Sequence, residues 1–99
     1  MADYVDLYAI ISDDTLRQRV TVATIIAAEA LIAGSPTAGE QSWAAEAFDN
    51  PRGEGLKALR GVLAVNNAAT IANIQGATDA QIQTNVDAIV PSLVVAFNA

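Results

Sequence analysis

Apolar positions recur at helical intervals along almost the whole of this chain. Tyr4, Leu7, Tyr8 and Ile11 fall at i, i+3, i+4 and i+7, which predicts a short first helix over residues 3–11. Ser12-Asp13-Asp14 interrupts that pattern and supplies what a second helix needs at its start. Ser12 or Asp13 can accept from the exposed backbone N–H groups, and the acids suit the positive end of the helix dipole. The second helix should run from about Asp14 to Ala33. Leu16, Val20, Ala23, Ala27, Ala30 and Leu31 form one apolar stripe on it; Val22, Ile25, Ile26, Glu29 and Ile32 form a second, nearly as apolar. A helix that is apolar on most of its circumference is buried on more than one side, so this segment is expected at the centre of the fold. Gly34 stops it, and GSPTAGE, residues 34–40, reads as a loop.

The pattern resumes near Gln41. A short helix to Phe48 places Trp43, Ala44, Ala47 and Phe48 on one face, and Asp49-Asn50-Pro51 ends it. Asn50 as N-cap with Pro51 in the first helical position then starts another helix. Gly53 and Gly55 weaken its first turn, and Leu56, Leu59, Val62 and Leu63 carry its apolar face opposite Lys57 and Arg60. After Asn66-Asn67, residues 68–75 read as a further short helix with Ile71 and Ile74 inward, closed by Gly76. Thr78-Asp79-Ala80-Gln81 matches a capping box. The last helix runs from there to Phe97, with Ile82, Val86, Ile89, Leu93 and Phe97 in one stripe. Pro91 lies inside it, removes a backbone donor and crowds the carbonyl of Asp87, so the helix either kinks there or a new turn starts, and the unbroken apolar stripe favours the kink. No segment reads as a β-strand and there is no internal repeat. The expected fold is all-α: one domain over residues 1–99, a compact bundle of five to six helices around the apolar helix 14–33.

Composition adds a second theme. Apolar residues are 53% of the chain and charged residues only 16%, against about 25% charged in an ordinary domain. Either uncharged polar residues make the solvated faces, or some apolar surface belongs to a contact with another molecule. The apolar share is led by Ala, so each helix contact buries little area, and partner contacts would add to stability. The net charge of −6 disfavours nucleic acid and anionic membrane, which both require clustered positive charge, and permits a basic protein partner. The longest apolar run, residues 20–33, carries Glu29 and is shorter than the roughly 20 residues of a membrane span. Asp3 and Asp6 stand where a signal peptide carries positive charge, so the expected setting is the compartment of synthesis or an assembly built there.

The chemistry that sequence alone can offer is thin. The chain has neither His nor Cys, which removes the commonest general base, metal ligand and thiol nucleophile. Asp13 and Asp14 read as caps, with Asp13 also placed to pair with Arg17 one turn on. Glu29 on an apolar helix must reach solvent, pair with Arg60 or Arg19, or sit in an interface. The stretch DNPRGEG, residues 49–55, has acids and glycines but not the alternating spacing of a calcium loop, nor the strand and Lys of a phosphate loop. Ser92-Leu93 follows Pro91 rather than the Asp of a phosphopantetheine site, and the last helix has no Lys or Arg with which to read DNA. Arg17 and Arg19 read as paired surface charges. No enzyme activity, cofactor or metal is expected.

Three stretches together resemble a known group. They are DTLRQRVTVATIIAAEA (14–30), WAAEAFDNPRGEG with LKALRGVLAVNN (43–67), and GATDAQIQTNVDAIV (76–90). Their layout is similar to small helical proteins encoded among the structural genes of tailed bacteriophages, and covers residues 3 to 97. The resemblance implies a virion component, or a protein used to build the virion in the host cytoplasm, at the neck (head–tail connector), tail or capsid. It carries over no functional residue.

The resulting expectation is a non-catalytic protein acting through protein–protein contacts. Its partners would be other phage structural proteins, with the chain itself a symmetric homo-oligomer or present in multiple copies. Candidate interface residues are Val22, Ile26 and Glu29 on the central helix, Trp43 and Phe48 as aromatic anchors, and Leu93 and Phe97 on the last helix. Core packing is the simpler reading of Trp43 and Phe48. The alternative function is an acidic phage-encoded inhibitor or adaptor that binds a host protein.

Overall fold

A computed structural model describes residues 12–65 and 75–99 of the chain, and these residues form helices and their connections. The helix expected over 14–33 is present as α1, Asp14–Ala33. Asp13 caps it, its carboxylate accepting from the backbone N–H of Leu16 at 2.9 Å. Three more helices follow: α2, Ala38–Asp49; α3, Pro51–Val65; and α4, Asp79–Phe97. The described residues thus hold four helices rather than five to six. The short helices expected over 3–11 and 68–75 fall on segments outside the described residues, but for Gln75.

The start of α2 departs from the sequence reading. The helix begins at Ala38, not near Gln41, because Thr37 and Glu40 make a full capping box. Thr37 Oγ1 accepts from the Glu40 N–H at 3.1 Å and Glu40 Oε1 accepts from the Thr37 N–H at 2.8 Å. The expected box at α4 forms in the same way, between Thr78 and Gln81. Asn50 ends α2 and opens α3, accepting from the Gly53 N–H at 3.3 Å. The α4 helix runs unbroken through Pro91.

Helix α1 is central and packs against each of the other three. Its first stripe is buried at Leu16, Val20, Ala23 and Ala27, whereas Val22, Ile26, Glu29 and Ile32 of the second stay exposed, so the helix is not covered on both stripes as expected. The core gathers Leu16, Val20, Ala23, Ala27 and Ala28 of α1 and Trp43, Ala44 and Ala47 of α2. Ala58, Leu59 and Val62 of α3 and Ile82, Val86, Ile89 and Val90 of α4 complete this core. Small side chains bring the backbones close. A Cβ on Gly55 would lie 2.4 Å from Thr21 Oγ1 and 3.0 Å from Thr21 Cα, so α3 can approach α1 this closely only with glycine there. Gly55 therefore serves packing more than it weakens a helix turn. Asn98 ties the C-terminus to the first turn of α2 by donating to the Gly39 carbonyl at 2.9 Å. No helix among the described residues is long and apolar enough to cross a membrane.

Candidate interaction surface

Most acids of the described residues serve caps and pairs, and they do not converge. No group of three or more acidic side chains is placed to hold a metal ion among the described residues. Asp13 caps α1 and accepts a second bond from the Gln75 side-chain amide at 2.6 Å. These bonds hold its carboxyl below the usual aspartate range, the Leu16 N–H first and Gln75 next. Arg17 pairs with Asp14 at 2.7 Å rather than with Asp13, because the capping geometry turns the Asp13 carboxylate toward the helix end. Arg19 pairs with Asp79 at 2.9 Å and also donates to the Ala77 and Gln75 carbonyls at 2.6 and 3.4 Å. It is thereby held at the approach to α4; Glu29, ten residues or about 15 Å further along the same helix, is out of its reach within one chain. Glu29 is exposed and pairs with neither Arg19 nor Arg60.

The acid that sequence reading missed is Glu54. It is 2% exposed, accepts from Trp43 Nε1 at 3.0 Å, and pairs with the partly solvated Lys57 at 2.9 Å. A signal for it was present: Glu54, Ala58 and Val62 follow one another at i+4, so the acid lies on the buried face of its own helix. This bond also decides the role of Trp43, which is fully buried with its only polar atom satisfied. Trp43 is a core residue and is removed from the set of surface anchors.

The other candidates lie at the surface to different degrees. Val22 is 56% exposed, Ile26 47% and Phe48 45%. Phe97 is less exposed, and Leu93 is half-buried against the core. Two further exposed apolar residues were not singled out from the sequence, Ile32 on α1 and Val95 on α4. Ile32 belongs to the second apolar stripe of α1 and could have been picked from it. Val95 lies off the α4 stripe and gave no periodic signal.

Two open grooves flank the exposed side of α1. One, of about 730 Å³, lies against α3 and is lined by Asp14, Arg17, Gln18, Thr21, Val22, Arg52, Gly53 and Leu56. The other, of about 230 Å³, lies against α4 and is lined by Arg19, Val22, Ala23, Ile26, Asp79 and Gln83. Val22 borders both, so it stands on a ridge with a valley on each side. The lining mixes apolar and charged side chains, and neither groove encloses a converging set of reactive groups. Such a surface suits side chains from another helix more than a small substrate. No protein-family model, no curated protein and no solved structure matches this chain.

Proposed function

We propose that this chain is a small non-catalytic protein that works by binding other proteins in an assembly, and that the assembly is a phage particle. The observation that supports the contact reading is the exposed pair Val22 and Ile26, one turn apart on the central helix and bordered by open grooves. Each is already about half buried, so covering the remainder is worth roughly 0.7–1.5 kcal/mol apiece. The placement in a particle rests on the resemblance of residues 14–30, 43–67 and 76–90 to small helical phage structural proteins. A host-directed acidic inhibitor is the weaker reading. Asp13, Glu40, Glu54 and Asp79 are engaged in caps and pairs rather than presented as an anionic face.

The test is to identify proteins in purified particles made with the wild-type chain and with a V22D/I26D variant whose circular dichroism shows it folded. The wild-type chain should be present and the variant depleted. Absence of the wild-type chain from particles overturns the particle reading; undiminished incorporation of the variant overturns the role of this face.

A further inference from the structure

The exposed side of α1 carries a row of residues that is complementary to itself when reversed. Thr15, Arg19, Val22, Ile26, Glu29 and Ala33 follow one another in alternating steps of four and three residues, the spacing of a helix–helix seam. At 3.6 residues per turn they stay within a stripe of about 80°. Read from the other end, the row is Ala33, Glu29, Ile26, Val22, Arg19, Thr15. Laid antiparallel on a second copy about a two-fold axis level with residue 24 along the helix but on the opposite, outward face from buried Thr24, every member faces another member. Val22 faces Ile26, Arg19 faces Glu29, and Thr15 faces Ala33. A two-fold interface demands this property, since residue i meets j and j meets i.

The structure supports the central and the charged parts of that register. Val22 and Ile26, the central pair, are the most exposed large apolar residues of α1. Glu29 has no cationic partner among the described residues. Arg19 is 28% exposed and lines the same groove as Val22 and Ile26. Its guanidinium has five N–H groups; its three bonds to Asp79, Ala77 and Gln75 use one on each nitrogen, leaving one free on each terminal nitrogen. Asp79 neutralises part of its charge, yet a carboxylate in front of it still finds donors.

We propose that the chain forms an antiparallel homodimer through α1, with Val22 against Ile26 of the second copy at its centre and two symmetric Arg19–Glu29 pairs flanking them. This deepens the contact reading above and rests on it, since it names a second copy as the occupant of the α1 face. One helix face is small beside the roughly 800 Å² per partner of a standard interface, so the dimer should be concentration-dependent.

Because the chain contains no cysteine, disulfide trapping can read the register directly. In the proposed dimer, position 22 faces position 26. Two copies of position 22 are offset along the helices by about 6 Å as well as separated across them, beyond the reach of a disulfide. An equimolar mixture of V22C and I26C chains should therefore give covalent dimer at least fivefold faster than either chain alone under mild oxidation. Sedimentation equilibrium of the wild-type chain should show a monomer–dimer equilibrium, weakened roughly tenfold in E29K, which sets Lys against Arg19 in both symmetric contacts. Circular dichroism should be unchanged in E29K, since Glu29 is exposed. Equal cross-linking of all three samples overturns the register. A wild-type monomer up to millimolar concentration overturns the dimer. A monomer still found in particles leaves the contact reading standing, whereas a dimer absent from particles overturns only the particle reading.

Discussion

The indole Nε1 of Trp43 donates to Oε1 of Glu54 at 3.0 Å, and both side chains are shielded from solvent. The pair joins α2 to α3 through the one charged group in the buried set. Lys57 closes the network from the surface by pairing with the other Glu54 oxygen at 2.9 Å. No buried side-chain nitrogen or oxygen among the described residues lacks a partner, so this network is complete. Removing one member exposes the cost of the others. Glu54→Ala leaves the Trp43 N–H unpaired in the core and should cost about 2–4 kcal/mol. Glu54→Gln keeps an acceptor for Trp43 and should cost about half as much. Urea denaturation followed by the fluorescence of Trp43, the only tryptophan, reads both.

Gly55 and Gly61 lie on the same helix and should respond differently to alanine. At Gly55 the added Cβ meets Thr21 at 2.4 Å from Oγ1 and 3.0 Å from Cα, and a backbone atom cannot swing aside. At Gly61 it meets only the δ-methyl of Ile89 at 2.8 Å, which can change rotamer. Alanine gains about 1 kcal/mol of helix propensity at either site. G61A should be close to neutral. G55A should be destabilised by about 1–3 kcal/mol despite that gain, as overpacking of α3 on α1 outweighs it. Thermal unfolding of the two variants gives the ordering, and an equal effect would show that α1 and α3 are not held as close as the structure has them.

Asp13 gives the fold an acid-dependent component. Its carboxyl is held below the ordinary value chiefly by the Leu16 N–H and the Gln75 amide. A carboxyl depressed in the folded state adds stability above its unfolded pKa and loses it as pH falls through the folded one. The contribution is present at neutral pH and should fade below about pH 4. Asp13→Asn keeps a capping oxygen and removes the charge, and Asn is as good an N-cap as Asp. At this partly exposed surface site the difference at pH 7 should be no more than about 1 kcal/mol in favour of wild type. Urea melts at pH 7 and pH 3 should show that gap closing in acid; a gap that widens in acid would reverse the sign.

Much of the helical layout can be read in the sequence because it depends on local signals. The span Asp14–Ala33, the cap at Asp13, the box at Thr78 and the Asn50-Pro51 junction each need only residues within a turn or two of one another. What escaped the sequence depends on residues far apart in the chain. Glu54 is buried because Trp43 stands eleven positions away to satisfy it, and Gly55 is required because Thr21 crosses it from another helix. Arg19 could be expected to pair but not with which acid, since Asp79 lies sixty residues on. On the surface, Val22 and Ile26 were readable as excess apolar positions, whereas the burial of Trp43 was not separable from exposure until its partner was placed.

The start of α2 is also set by a local signal, and it can be tested against its counterpart at α4. Thr37-Ala38-Gly39-Glu40 has the same form as Thr78-Asp79-Ala80-Gln81, and both close as reciprocal boxes with bonds of 2.8 and 3.1 Å. Pro36 and Gly39 around the first box disguised it as loop, because both are poor helix residues. Thr37→Ala and Thr78→Ala should each cost about 1 kcal/mol. Their local effects should differ. The first turn of α2 is also held from outside by Asn98 on the Gly39 carbonyl, and the approach to α4 is held by Arg19 on the Ala77 carbonyl. Hydrogen exchange should therefore quicken in T37A for the amides of residues 40–41, and in T78A for those of 81–82. A double variant T78A/R19A should open the start of α4 further than the two single changes predict, because cap and guanidinium restrain one short segment. Additive effects would show that they act independently.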